Sequence, residues 1–441
     1  MSLVAAASLL TLAGNSSSEA APPTVVDTQP TNGDDEVSPR LRRLRVVFDQ
    51  PMDHSGHSFV GGGESFPKVT GKARWLDERT CVLPVRLEAE HEYRLGINSR
   101  RFQNFKNVGG EAAVPYELSF RTAAGDGMAD VLTVAENREA VGELRRAIDA
   151  DYSYRDLHDV DWKHVFDDAE SRLIAARTAK EFAAEAATSL KEAKDLHLWL
   201  EADGAVFPTT TRNVTPNFNL AVLRRSVPGW TQKAPAVFVG RFDDGIAYLL
   251  IASWERQRLK NLEPVFEALE DARDAPGLIV DVRANSGGDE LLARQFAGCF
   301  VSSPKVYAQH VIRSEGKFSE TMERAVAPDP KRPAFRGRVA VLMGPANMSS
   351  CESFLLMMKQ APHCKLIGQR SYGSSGNPQP IGLANGVTVY VPSWRDLLPD
   401  GNCFEGQGIE PDMEVKAPDA ASDEVLAAAL RELRGVRESV P

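Results

Sequence analysis

Residues 339–354 read VAVLMGPANMSSCESF: an apolar run, a Gly-Pro break and a cluster of small hydroxyl and thiol side chains. The apolar run indicates a strand, and the apolar residues 354–358 indicate a helix. A strand, a tight turn and a helix N-terminus place a nucleophile where backbone N–H groups and the helix dipole stabilise negative charge. Ser349 is therefore a candidate nucleophile. The alternative is a helix cap, because Ser349 with Glu352 three residues later also matches a capping box.

The bulk composition limits the class of protein. A chain of 441 residues is too long for one ordinary core, so we expect two or three domains. Hydrophobic residues at 43% and charged residues at 25% are typical of a globular protein. The net charge of -10 argues against nucleic acid as a partner, and no apolar run is long enough to span a membrane. The sequence leaves open whether the chain forms a homo-oligomer.

The N-terminal residues 1–22 resemble a signal peptide. Residues 3–14 (LVAAASLLTLAG) are apolar, and the small residues that follow could hold a cleavage site. This pattern predicts an exported protein, located in the periplasm or cell envelope or secreted. An apolar leader that is not a signal remains the alternative. Five scattered cysteines without a C-x-x-C pair indicate neither a zinc site nor a disulfide framework; they are Cys81, Cys299, Cys351, Cys364 and Cys403.

Residues 23–123 carry short strand signals separated by turns rich in Gly, Asp and Pro. Leu44, Val46 and Phe48, for example, alternate with charged or exposed positions, as in a strand with one buried face. Several such strands in about a hundred residues predict an all-β sandwich. The segment resembles the bacterial Ig-like modules of exported proteins, which implies a role as a spacer or docking module.

The rest of the chain changes character twice. Residues 128–203 are rich in Ala, Glu, Arg and Leu and predict helices, with a cap before a helix that starts near Trp162. In residues 204–436, apolar strands alternate with helices, which predicts an α/β domain. The segment 205–235 is expected to be loop. The predicted strands are 245–251, 277–282, 339–343, 365–368 and 387–391, and the predicted helices are 259–272, 290–300, 350–360 and 423–433.

A second motif, DVRANSGG at residues 281–288, directly follows the predicted strand 277–282. Two glycines at the carboxyl end of a strand let backbone N–H groups approach a ligand closely. We therefore expect the N–H of Gly287 or Gly288, together with the N–H of Ser350, to form an oxyanion hole. A tight strand-to-helix turn without a ligand is the alternative interpretation.

Together, these motifs resemble those of the C-terminal processing (tail-specific) serine peptidases, a family related to the tricorn protease core and the interphotoreceptor retinoid-binding protein modules. GQRSYG at residues 368–373 is similar to the family's Gly-x-x-Thr-x-Gly turn, and EGQGIEPD at 405–412 to its Gly-(Ile/Val)-x-Pro-Asp signature. The resemblance covers about residues 130–435. It implies a crotonase-like core, a spiral of ββα units, that hydrolyses peptides or unfolded proteins without a metal or organic cofactor.

The family has two catalytic branches, and the resemblance assigns this chain to one of them. In the first branch a Lys just after the Gly-x-x-Thr-x-Gly turn activates the serine, but Ser374 stands there. The second, tricorn-like branch uses a His and a Glu. Residues 195–200 (DLHLWL) resemble the segment that supplies the base, which implies His197, and the late signature implies Glu405. The predicted triad is Ser349, His197 and Glu405, since a histidine base and an orienting carboxylate activate serine.

Alternatives remain at each position of this triad. The competing residues are Ser350 as nucleophile, His158 or His164 as base, and Glu410 as the carboxylate. Leu196 stands where the tricorn-like branch has a serine before the catalytic His. Only about fifty residues separate His197 from the strand near residue 246, too few for a PDZ module that captures substrate C-termini. Two rival functions share the fold: a catalytically silent binding protein, and an esterase or amidase of small acyl substrates.

Overall fold

The computed structural model describes residues 21–124, 131–416 and 422–435. Its residues separate into two compact units, with the division between Val131 and Leu132. Residues 1–20, which make up most of the predicted leader, lie outside the described residues. Among the helices that are described, none is long and apolar enough to cross a membrane.

The described part of the first unit is built from strands. They are β1 (Val25–Gln29), β2 (Arg43–Phe48), β3 (Phe59–Val60), β4 (Lys68–Val69), β5 (Arg74–Trp75), β6 (Thr80–Arg86), β7 (Glu92–Ile97) and β8 (Tyr116–Arg121). One sheet has the order β1-β2-β6-β4 with β5 also paired to β6, and a second sheet has the order β3-β7-β8. Leu44, Val46 and Phe48 are fully buried in the core of this unit, as their alternation predicts.

The second unit begins with helices and then alternates helices with strands. Its helices are α1 (Val134–Asp151), α2 (Trp162–Ala175), α3 (Ala179–Ser189), α4 (Leu220–Ser226), α5 (Arg256–Leu259), α6 (Glu263–Asp271), α7 (Glu290–Ala297), α8 (Ser350–Lys359) and α9 (Glu424–Arg434). Its first strands are β9 (Trp199–Ala202), β10 (Ala205–Pro208), β11 (Thr231–Ala234), β12 (Val237–Arg241), β13 (Ala247–Ile251), β14 (Gly277–Asp281), β15 (Lys305–Ser314), β16 (Lys317–Phe318) and β17 (Met322–Val326). The later strands are β18 (Arg338–Met343), β19 (Cys364–Gly368), β20 (Pro378–Gly382), β21 (Thr388–Pro392), β22 (Trp394–Leu397) and β23 (Met413–Glu414).

The three leading helices pack on a small antiparallel sheet with the order β10-β9-β21-β20. Their N-termini are capped by side chains: Thr133 accepts the N–H of Glu136, and Asp161 accepts the N–H of His164. The predicted cap before the helix at Trp162 is therefore confirmed. This packing matters for the site, because the turn that leads into β9 carries His197.

A larger sheet positions the two sequence motifs that follow β14 and β18. Its described strands have the order β11-β12-β13-β14-β18-β19-β23, and every pair from β13 to β23 is parallel. Because β14 and β18 are parallel neighbours, the segments that leave their carboxyl ends meet at one edge. Those segments are 282–289, which holds Gly287 and Gly288, and 344–349, which ends at Ser349. A further sheet joins β16, β15 and β17, with β22 also paired to β15.

The expectation that residues 205–235 form a loop is wrong. This segment contains β10, α4 and β11. Asn219, one of the polar residues that indicated a loop, is a cap residue whose side chain accepts the first N–H groups of α4.

The predicted helix 259–272 is also divided. Its first residue, Leu259, is the last residue of α5, and α6 begins only at Glu263, with Lys260 at a φ of 57° between the two helices. Pro264 explains the restart, since proline fits only the first turn of a helix.

A buried ion cluster joins the end of β14 to the start of α9. Arg283 is fully buried, and its guanidinium donates to Asp281 at 2.8 Å and to both oxygens of Asp423 at 2.8 Å. Asp423 also caps α9 by accepting the N–H of Leu426. Tyr248 donates its hydroxyl hydrogen to Asp281 at 2.8 Å. Asp281 and Arg283 of the DVRANSGG motif therefore hold that segment in place through buried hydrogen bonds.

We expect the substitution Arg283→Met to destabilise the protein strongly. It leaves the carboxylates of Asp281 and Asp423 buried without their partner, and breaking a buried pair in this way costs roughly 3–5 kcal/mol. The urea unfolding midpoint measures this loss. The matched control is Arg273→Met, which removes an exposed arginine that pairs with Glu270. Equal midpoints for the two variants would show that the cluster does not stabilise the fold.

Candidate active site

Ser349 occupies a strained turn between β18 and α8. Its backbone has φ 55° and ψ -133°, a conformation that costs a residue with a side chain free energy and that is common at functional sites. Ser349 and Glu352 form a capping box at the first turn of α8, and the Glu352 N–H donates to the Ser349 carbonyl at 2.7 Å. Ser349 is partly exposed and lines a cavity of about 670 Å³. The hydroxyl is therefore available at the positive end of a helix.

The carboxylate of Glu352 holds this turn in place. Glu352 is fully buried and accepts four hydrogen bonds, two on each oxygen. Oε1 accepts the Ser371 hydroxyl at 2.6 Å and the Gly373 N–H at 2.7 Å. Oε2 accepts the Ser374 N–H at 3.0 Å and the Ser349 N–H at 3.1 Å. Burial raises the pKa of Glu352 to about 7, and the four hydrogen bonds oppose that rise. The sequence indicated Glu352 only as a capping residue, because its other partners, Ser371, Gly373 and Ser374, lie about twenty residues further along the chain.

The two glycines of the DVRANSGG motif have different surroundings. Gly287, at φ +110°, lies so close to the serine turn that an added Cβ would come within 2.9 Å of Ser349 Cβ. Its own N–H donates to Asn285 Oδ1 at 2.9 Å. Gly288, at φ +133°, lines the cavity, and its carbonyl accepts the Ser350 hydroxyl at 2.7 Å.

Two backbone N–H groups remain available at this edge. Within the described ranges, neither the Gly288 N–H nor the Ser350 N–H donates a hydrogen bond. Both residues line the same cavity as Ser349. Of the three candidate oxyanion donors, the structure therefore leaves Gly288 and Ser350 free, whereas the N–H of Gly287 is engaged by Asn285.

Asn347 is a positioning residue that the sequence analysis missed. It is fully buried, and its Nδ2 donates to the carbonyls of Val282 and Asn285 at 2.5 and 3.0 Å. Its Oδ1 accepts the Gly344 N–H at 2.8 Å. Asn347 thus ties the segment after β18 to the segment after β14. Its position in the motif carried no signal of this role, because the contact joins residues more than sixty positions apart.

His197 lies on the other side of the serine turn, just before β9. It is buried, with 7% of its surface exposed, and its Nδ1 lies 2.9 Å from Ser374 Oγ. Its backbone N–H donates to Asp195 Oδ1 at 2.8 Å, while the same carboxylate oxygen is 4.0 Å from Nδ1. Burial lowers the pKa of His197 to about 4, so the ring is neutral at neutral pH. In the part of the chain that is described, no hydrogen bond joins His197 to Ser349.

Glu405 is placed near the base without touching it. Its Oε2 accepts the Ser375 N–H at 2.8 Å, and no hydrogen bond to His197 is formed among the described residues. Burial, and next the charge of Asp195, raises the pKa of Glu405 above its ordinary value. The structure therefore brings Ser349, His197 and Glu405 to one region but links them through residues 374–375 rather than directly.

The competing residues have less suitable surroundings. His158 and His164 are exposed. Glu410 is exposed and pairs with Arg370. Ser350 lies next to the strained turn, but its hydroxyl donates to the Gly288 carbonyl. In the residues that the structure describes, no group of three or more His, Cys, Asp or Glu side chains could hold a metal ion.

Comparison with known proteins agrees with this architecture. Residues 245–415 match the sequence profile of Peptidase family S41. The carboxy-terminal processing protease CtpB of Bacillus subtilis is 25% identical over 177 residues, which are 40% of this chain and 35% of that protein. A CtpA-like serine protease proposed for Staphylococcus epidermidis is 27% identical over 150 residues, 34% of this chain and 29% of that protein. The chain thus spans about a third of the length of these relatives.

Solved structures show a similar fold. A proposed peptidase from Parabacteroides merdae has a TM-score of 0.60 at 23% identity, covering 70% of this chain and 99% of that chain. Mature CPAF has a TM-score of 0.51 at 10% identity, with the same coverage. These likenesses show the fold alone, which is mixed α/β and multidomain. The match of residues 245–415 to Peptidase family S41 and the similarity to a carboxy-terminal processing protease confirm the resemblance predicted from the motifs.

We expect Glu352→Gln to disrupt the site although the two side chains have nearly the same shape. The amide NH₂ would face N–H or O–H donors, and each buried donor without an acceptor costs about 1–3 kcal/mol. The variant should lower the urea unfolding midpoint. Glu410→Gln is the matched control, since Glu410 is exposed and contacts Arg370 alone among the described residues. A Glu352→Gln midpoint equal to that of the parent would contradict the role assigned to this carboxylate.

Proposed function

We propose that this protein is a serine endopeptidase that hydrolyses peptide bonds of exported or unfolded proteins and peptides. The observation that carries the proposal is the strained Ser349 turn, which shares a cavity with the free N–H groups of Gly288 and Ser350. A serine hydroxyl next to two unengaged N–H groups at a helix N-terminus is suited to acyl transfer.

In the proposed mechanism, Ser349 Oγ attacks the carbonyl carbon of the scissile peptide bond. His197 Nε2 accepts the hydroxyl proton as the new C–O bond forms. The electron pair of the carbonyl moves to its oxygen, which the N–H groups of Gly288 and Ser350 stabilise. The electron pair of the oxyanion then re-forms the carbonyl, the C–N bond breaks, and His197 gives its proton to the leaving amine. Water releases the acyl group from Ser349 by the same steps.

Glu405 is the carboxylate of the proposed triad, and it acts on His197 indirectly, through residues 374 and 375. Its hydrogen bond to the Ser375 N–H fixes the segment next to Ser374, whose hydroxyl contacts the ring of His197. The proposed role of Glu405 is therefore to hold that segment in position. Leu196, at the place where the tricorn-like branch has a serine, is consistent with this indirect arrangement.

The finer fold assignment belongs to the same proposal. Two antiparallel sheets around one core support an Ig-like sandwich for residues 23–123. The helices of 128–203 and the parallel sheet of 204–436 support a peptidase core of the crotonase-like type. The leader pattern of residues 1–22 supports export.

A fluorophosphonate probe should label the wild-type protein and distinguish the candidate nucleophiles. Labelling should disappear in Ser349→Ala, which lacks the attacking oxygen, and in His197→Gln, which lacks the base. It should persist in Ser350→Ala, since that residue contributes its backbone N–H. Ser303→Ala, at an exposed serine, is the control. Labelling that survives in Ser349→Ala and is lost in Ser350→Ala would move the nucleophile by one residue.

The rival functions predict different results from the same protein. If the wild type neither reacts with the probe nor cleaves unfolded casein, the protein is a binding protein on a peptidase fold. If it turns over simple esters but not peptides, it is an esterase or amidase. Measured cleavage of casein that is abolished in Ser349→Ala supports the peptidase.

The imidazole of His197 should remain neutral to unusually low pH. Burial disfavours the charged ring, so the pKa is lowered from about 6.5 for free histidine to about 4. A base is needed in its neutral form, so His197 stays competent as pH falls until the pH passes through about 4. NMR titration of ¹⁵N-histidine-labelled protein measures this value, with His197→Gln identifying the signal. A His197 titration near pH 6.5 would contradict the burial argument.

A further inference from the structure

The ring of His197 has one side-chain partner among the described residues. Ser374 Oγ lies 2.9 Å from Nδ1. The nearest oxygen of Asp195 is 4.0 Å from Nδ1, beyond a hydrogen bond. Glu405 uses Oε2 to accept the Ser375 N–H. Neither carboxylate orients the imidazole by direct contact.

We propose that Ser374 is the positioning residue of the base: its hydroxyl accepts the Nδ1–H of His197 and keeps Nε2 unprotonated and directed to the reaction. The inference rests on the proposed function, in which His197 is the base for Ser349. A neutral imidazole has one N–H and one acceptor nitrogen, and a hydroxyl can either accept the Nδ1–H or donate to Nδ1. The base role of His197 requires the first arrangement, because only then is Nε2 unprotonated.

Ser374 also belongs to the turn that holds the nucleophile. Its carbonyl accepts the Ser349 N–H at 2.8 Å, and its own N–H donates to Glu352 Oε2 at 3.0 Å. Only 1% of its surface is exposed, so water does not compete for the hydroxyl. One residue therefore sets the backbone of the nucleophile and the tautomer of the base, and its side chain can be removed without removing the backbone hydrogen bonds.

Ser374 neither gives nor takes a proton in this step. The Ser349 proton moves to His197 Nε2 as the Oγ–C bond forms, and the carbonyl electron pair moves to the oxyanion. The Nδ1–H stays on Nδ1 and continues to donate to Ser374 Oγ. The ring is then an imidazolium with one neutral hydrogen-bond acceptor, so Ser374 orients the base without adding a charge.

Charged and titratable groups around His197 affect any measured pH dependence. Asp195 holds the backbone N–H of His197 and accepts the Tyr152 hydroxyl at 3.0 Å. Burial and next the charge of Asp195 raise the pKa of Glu405. Burial raises the pKa of Tyr152, and the charges of Asp195 and Glu405 add to that rise. None of these groups is bonded to the imidazole within the described residues, and all of them are unchanged in a Ser374 variant.

The first test observes the tautomer directly and needs no activity. ¹⁵N NMR of histidine-labelled protein in the Ser349→Ala background should show His197 protonated at Nδ1 and unprotonated at Nε2. Adding Ser374→Ala should shift His197 to a mixture of tautomers. Thr209→Val is the matched control, because the Thr209 hydroxyl is also buried near His197 but donates to the Leu198 carbonyl. An unchanged His197 spectrum in the Ser374→Ala protein overturns the proposal.

The second test measures the kinetic effect with Ser349 intact. Ser374→Ala should lower kcat roughly 10- to 100-fold, a part of the 10²- to 10⁴-fold that a general base supplies, while KM changes little. The acid limb of the pH–rate profile should also move, which a loss of stability alone does not cause. Ser374→Cys, of similar size but with a weak acceptor, covers the case in which the alanine variant does not fold. If Ser374→Ala and the wild type have equal kcat and an equal acid limb, the proposal is overturned. If the wild type does not cleave peptides at all, the peptidase function is refuted, and the NMR test then decides the role of Ser374.

Discussion

The site depends on the four hydrogen bonds that the buried carboxylate of Glu352 accepts. They join two turns that are about twenty residues apart: the strained turn of Ser349 and the turn from Ser371 to Ser374. Each donor would lose about 1–3 kcal/mol if left buried and unpaired. One carboxylate therefore stabilises the unfavourable backbone of Ser349 and, through the Ser374 N–H, the position of the hydroxyl that contacts His197.

The parallel sheet supplies the rest of the geometry. Because β14 and β18 are neighbours, the glycine segment and the serine turn meet at their carboxyl ends. Two buried residues keep them together: Asn347 bridges the two segments, and Arg283 fixes the first of them to Asp281 and Asp423. The close approach of Gly287 to Ser349 leaves no room for a side chain, which explains why glycine stands there. The positions of the proposed oxyanion donors thus follow from the strand order.

Local chemistry explains what the sequence could predict. The serine turn, the double glycine and the cap at Asp161 each depend on residues a few positions apart, so their patterns are visible in the chain. The prediction of a loop for residues 205–235 was wrong because the polar residues there cap and connect short elements, whose strands pair only in the folded sheet. The contact between His197 and Ser374 spans 177 positions, and no local pattern marks it. From the sequence, position 374 was notable only because it lacks the lysine of the first catalytic branch. In the folded chain, Ser374 at that position contacts His197.

A hydroxyl next to the base is consistent with the charges already buried there. Asp195 and Glu405 are both enclosed; burial raises the pKa of Asp195 to about 7, and burial followed by the charge of Asp195 raises that of Glu405. A third carboxylate in direct contact with Nδ1 would have to be desolvated beside two others, and like charges at close range disfavour ionisation further. Ser374 accepts the Nδ1–H without adding charge. The cost is weaker stabilisation of the imidazolium, in agreement with the lowered pKa of His197. The geometry therefore favours a base that is neutral at rest and positioned by hydrogen bonding rather than by a direct ion pair.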